Sequence, residues 1–78
     1  MKINLLAEIK SMPVKDVADF GLAVSFMDLF QRLQALYGLD NKDLLEAWLV
    51  DLERSGSIRI HRVGGILSYI APINHVME

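Results

Sequence analysis

Residues 55–72 read SGSIRIHRVGGILSYIAP, two apolar-rich runs about a Gly-Gly pair. In the first run Ile58 and Ile60 alternate with Arg59 and His61, a period of about 2 that marks a half-buried strand. Gly64-Gly65 supplies the positive φ angles of a two-residue hairpin turn. Counting outward from that turn pairs Val63 with Ile66, His61 with Ser68, Ile60 with Tyr69 and Ile58 with Ala71. This register puts Ile58, Ile60, Tyr69 and Ala71 on the face toward the rest of the chain. It puts Arg59, His61, Ser68 and Ile70 on the other face. Pro72 stops the second strand, so the spacing predicts an antiparallel hairpin over residues 58–63 and 66–71.

Upstream the period lengthens to about 3.6. Residues 43–54 place Leu44, Leu45, Trp48, Leu49 and Leu52 on one helical stripe, with Asp40 or Asn41 as cap and Ser55-Gly56 as terminator. Residues 25–37 repeat the pattern with Phe26, Leu29, Phe30, Leu33, Leu36 and Tyr37. Ser25 with Asp28 forms an N-cap pair there, and Gly38 is a natural residue just past the end. Residues 3–12 carry Ile3, Leu6 and Ile9 at helical spacing, widened by Leu5 and Met12, until Pro13 ends the helix. Residues 14–20 read as a short helix through Val14, Val17, Ala18 and Phe20, broken by Gly21. The expected fold is mainly α with a C-terminal β-hairpin, in one domain. Its parts are N-terminal helices within 2–37, a helix at 41–55, the hairpin at 58–71 and a tail at 73–78. In that tail Ile73, Val76 and Met77 either fray or dock on a partner.

Composition narrows the class. The 78 residues include no cysteine, so neither a disulfide nor a thiolate metal site is expected. A chain this short buries only roughly 60% of its unfolded surface, and 53% hydrophobic residues supply one core. MKINLLAEIK is interrupted by Glu8 and Lys10 before a signal-peptide core can form. The longest apolar runs fall far short of the ~20 residues of a membrane span. A cytoplasmic protein without membrane contact is expected. A net charge of −2 argues against a strong non-specific grip on nucleic acid.

Catalytic chemistry has little to build on. His61 and His75 have no second ligand at metal spacing and no triad setting. Gly64-Gly65 is consumed by its turn, so no phosphate loop remains. Asp16, Asp19 and Asp28 read as solvated helix faces, and Trp48 as core among leucines. No enzyme activity, cofactor or metal is expected.

The order helix, tight turn, helix and hairpin, with GLDNKDLLEAWLVDLERSGSIRI at 38–60, resembles a winged helix-turn-helix domain. The likeness is to small bacterial regulators of the MarR and ArsR type and covers residues 29–72. It rests on the Gly-Leu-Asp turn and on the exit Leu52-Glu53-Arg54-Ser55-Gly56-Ser57-Ile58. It implies a winged-helix fold that binds DNA through the helix at 43–54, with the hairpin as wing. The residues depart from that pattern on the outward stripe of this helix, which holds Asp43, Glu46, Ala47, Val50, Glu53 and Arg54. A major-groove reader offers Arg, Lys, Asn or Gln there, whereas three carboxylates repel a polyanion.

Positive charge gathers instead on the hairpin. The leading expectation is a DNA-binding regulator that engages DNA through Asn41, Lys42, Arg59, His61 and Arg62. The alternative is a protein-interaction or dimerisation module without DNA binding, working through Asp43, Glu46, Ala47, Val50 and Arg54. A domain this small gains stability by dimerising. Each set also has an ordinary explanation: Arg59 and Arg62 guard an exposed strand, and Ala47 and Val50 are singly exposed apolar residues.

Overall fold

The structure, a computed structural model, describes residues 3–73. Asn4 opens α1 (Leu5–Ser11) by accepting from the Ala7 amide, and Leu5 and Ile9 bury its inner face. Ser25 caps α2 (Phe26–Tyr37) in the same way at Asp28, and Gly38, at φ 74°, closes it in the left-handed conformation that favours glycine. Asn41 caps α3 (Lys42–Arg54) by accepting from the Leu44 amide at 3.1 Å. A strand pair, β3 (Ile58–Val63) and β4 (Ile66–Pro72), follows. Gly64 at φ 61° and Gly65 at φ 80° form its turn, the geometry that matches strand twist.

Residues 14–20 are not a helix. Lys15–Val17 is a strand, β1, paired antiparallel with β2 (Gly21–Ser25) through Lys15↔Ala23, Asp16↔Leu22 and Val17↔Gly21. Pro13 and the β-branched Val14 and Val17 weaken helix, and Asp19 turns the chain with φ 65°. The Phe20 amide donates to the Val17 carbonyl at 3.1 Å, closing the turn. Gly21 therefore begins a strand and does not break a helix.

The fold class changes with it. β2 also pairs with β4, through Val24↔Ile70 and Ser25↔Tyr69, which joins the two hairpins into one four-stranded antiparallel sheet of order β1-β2-β4-β3. The chain is α+β, three helices with that four-stranded sheet, rather than a mainly α chain ending in a hairpin. Pairing across more than forty residues leaves no local periodicity for the sequence to display.

The hairpin exists as expected, but its register does not hold past Arg62. Val63↔Ile66 and Arg62↔Leu67 pair first; then a bulge shifts the count so that His61 faces Tyr69, Ile60 faces Ile70 and Ile58 faces Pro72. Ser68 is the extra residue, its hydroxyl donating to the Ile66 carbonyl at 3.0 Å. The shift turns Ile70 into the core, fully buried, and Tyr69 outward beside His61. Val24, Ile58, Leu67 and Ile70 from the sheet meet Ile9, Leu29, Leu33, Leu45 and Leu49 from the helices in one core cluster. Leu44, expected in that core, is 40% exposed, and Trp48 is only half-buried at its margin. The fully buried positions of α3 are Leu45 and Leu49, a face rotated from the one the apolar stripe suggests.

Candidate functional site

The bulge and the sheet decide where the hairpin cations go. Arg59 and His61 lie on the sheet face away from the helical core. There the Arg59 guanidinium sits 4.6 Å from the Phe20 ring centre, and His61 stands between Phe20 at 4.9 Å and Tyr69 at 6.2 Å. Phe20 reaches them from the turn between β1 and β2. Arg62, one residue on, points the other way and meets α3. Its two terminal nitrogens donate to the two Glu53 carboxylate oxygens at 3.0 and 3.3 Å. That pair holds the Glu53 carboxyl below the usual range and pushes the guanidinium up, with Glu46 adding to the latter.

Lys42 lies over the Phe30 ring at 5.8 Å, and Asn41 is committed to its capping bond. The five residues expected to touch DNA are thus divided. Asn41 and Lys42 stand at the start of α3, Arg62 is neutralised by α3, and Arg59 with His61 occupies the opposite face.

What the tertiary structure does assemble is a groove of about 540 Å³ between the first turns of α2 and α3 and the tip of the β3-β4 hairpin. Phe26, Met27, Val63, Ile66 and Leu67 supply its apolar lining, with Lys42, Asp43 and Glu46 on the α3 side and Ser25, Ser68 and Tyr69 toward the sheet. Ile66 is 69% exposed, Val63 53% and Met27 43%. A second depression of about 350 Å³, lined by Glu46, Val50, Arg62, Gly65, Ile66 and Leu67, shares Glu46, Ile66 and Leu67 with the groove. Together they make one trough between α3 and the hairpin.

Of the residues expected at a protein contact, Asp43, Glu46 and Val50 line this trough; Ala47 and Arg54 are exposed outside its lining. Sequence reasoning missed Met27, Val63 and Ile66. The available signal was the pair of β-branched residues flanking Gly64-Gly65, because the tip of a hairpin overhangs the core it belongs to. Among the described residues, Lys42, Asp43 and Glu46 make no ion pair; the salt bridges are Lys15–Asp28, Arg32–Glu8 and Arg62–Glu53.

No group of three or more metal-ligating side chains occurs among the described residues, and none of their helices is long and apolar enough to cross a membrane. His75 and the tail residues Val76 and Met77 lie outside the described residues. No family model, curated protein or solved structure matches the chain.

Proposed function

We propose that this chain is a non-catalytic protein-interaction module of the cytoplasm, working through the trough between α3 and the β3-β4 hairpin. One observation carries the reading: Met27, Val63 and Ile66, all more than two-fifths exposed, converge on one groove. Scattered apolar residues are ordinary on a surface, but convergence beside a concave wall is the arrangement of a contact site. Unpaired charges at its margin match the polar rim that surrounds apolar contact centres.

DNA binding through the hairpin draws less support. Arg62 is already bonded to a carboxylate, and Asp43 and Glu46 stand beside Lys42, so a phosphate backbone meets repulsion there. Two measurements test the proposal. A fluorescence titration with duplex DNA at low salt is expected to show no saturable binding. A photo-crosslinking side chain in place of Ile66 is expected to give a protein adduct in cells, whereas the same group in place of Leu36 is not. Leu36 serves as control because it is also exposed, at 54%, but does not line the trough. Tight DNA binding with no adduct at position 66 would reverse the assignment.

A further inference from the structure

The outer face of the sheet gathers flat side chains into one run. Arg59 lies 4.6 Å from the Phe20 ring centre, Phe20 4.9 Å from His61, and His61 6.2 Å from Tyr69. The strand register brings them together: His61 stands opposite Tyr69, and Tyr69 opposite Ser25, across β3, β4 and β2. In the neighbouring row Arg59 stands opposite Ala71, and Lys15 opposite Ala23. Arg59 is exposed, and Phe20, His61 and Tyr69 are half-buried.

These groups have bonding capacity to spare. Among the described residues the Arg59 guanidinium, the His61 imidazole and the Tyr69 hydroxyl make no hydrogen bond and no ion pair, whereas Lys15 is held by Asp28 at 3.4 Å. A ligand therefore meets aromatic faces beside one unpaired cation and two further polar groups. What matches flat rings next to a cation is a flat ring next to an anion. Each nucleotide of a single strand offers both, a base to stack and a phosphate for the guanidinium. A duplex keeps its base faces inside the stack. An acidic peptide brings the charge without the ring.

We propose that this face binds single-stranded nucleic acid, with bases stacked on Phe20, His61 and Tyr69 and a phosphate held by Arg59. The surface is separate from the function assigned to the trough, which it meets at Tyr69. One unpaired cation gives a weak electrostatic grip, so affinity comes mainly from stacking. The salt dependence is correspondingly shallow, roughly 0.7 in the slope of log K against log salt for one phosphate on a single strand.

The test is fluorescence anisotropy of the full chain titrated at low salt onto labelled decamers: oligouridylate, oligothymidylate and an abasic strand with the same phosphates. The base-bearing strands are expected to saturate, and the abasic strand to bind at least about tenfold more weakly. Tighter binding of oligouridylate assigns the face to RNA, and of oligothymidylate to single-stranded DNA; either order supports it. Arg59→Gln, at an exposed position, should weaken binding and flatten the salt slope toward zero. Tyr69→Leu, which keeps apolar bulk, should weaken it about fivefold or more. Amide shifts on adding oligouridylate to the wild type need no variant: Phe20, Arg59 and His61 should move, and Met27 and Val63 should not.

No saturable binding by the wild type up to about 1 mM, equal affinity for the abasic strand, or shifts confined to the trough would overturn the proposal. So would a glutamate decamer that binds as tightly as the base-bearing strands, which would mark the face as a site for acidic protein. None of these results bears on the crosslink at position 66, so the interaction reading stands or falls separately.

Discussion

Glu8 ties the N-terminal helix to the rest of the molecule. One of its oxygens accepts from Tyr37 Oη at 2.6 Å and the other from Arg32 Nε at 2.9 Å, so α1 is fastened to the last two turns of α2. The Tyr37 hydrogen bond first, and then Arg32, holds the Glu8 carboxyl below its ordinary value. The same bond pushes the Tyr37 phenol up, because the bond needs its proton. A carboxyl lowered in the folded state contributes stability that is present above its unfolded pKa, about 4.3, and lost as pH falls through the folded value. A phenol raised in the folded state contributes below its unfolded pKa, about 10, and loses that contribution as pH rises through the folded one. Thermal melts across pH should therefore show an acid limb that Glu8→Gln flattens and an alkaline limb that Tyr37→Phe flattens. Limbs unchanged in both variants would show that the cluster is not coupled to folding.

Among the elements, β4 is where one residue changes the most. Without the bulge, strict alternation would carry Ile70 outward and leave Tyr69 in the core. Ser68 absorbs the extra position, so Leu67 and Ile70 both face inward although three apart. Deleting Ser68 alone should then leave a regular ladder with the same inward set, and a melting temperature within a few degrees of wild type. Deleting Ser68 and Tyr69 together brings Ile70 opposite His61, on the outer face, and should prevent folding. Circular dichroism melts of the two deletions give the comparison. Equal damage from both would mean that the bulge does not set the register. The N-terminal hairpin was hidden for a related reason. Its strands are three and five residues long, and Val14, Val17, Ala18 and Phe20 fit a helical wheel as easily as a turn and two edges.

At the scale of the whole molecule, stability rests on one core cluster shared by the sheet and the helices. Leu49 is fully buried within it and Leu44, on the same helix, is 40% exposed. Leu49→Ala should cost about 2–5 kcal/mol, a large part of the 5–15 kcal/mol that typically holds a domain together. Leu44→Ala should cost less than about 1 kcal/mol. Urea denaturation of both variants measures the gap. Comparable losses would mean that α3 packs with a different face from the one described. The salt bridges add little to this balance. Lys15–Asp28 is well exposed, and such pairs are worth roughly 0–1 kcal/mol.

The sequence by itself determined the local structure that has a local cause. Ser25 and Asn41 cap helices because their side chains reach amides three residues on; Gly38 ends one because it accepts φ 74°; Gly64-Gly65 turns the hairpin for the same reason. Helical and strand periods located α1, α2, α3 and the β3-β4 pair. Only the tertiary structure decided the pairing of Val24 with Ile70, the bulge at Ser68 and the rotation of α3 onto Leu45 and Leu49. It also decided that Arg62 meets Glu53 while Arg59 and His61 turn to Phe20. Each of these depends on groups far apart in the chain, whose mutual distance is set by packing and not by spacing. The trough belongs to the same class. Met27, Lys42, Glu46 and Ile66 come from three separate elements and become one surface only when the core beneath them closes.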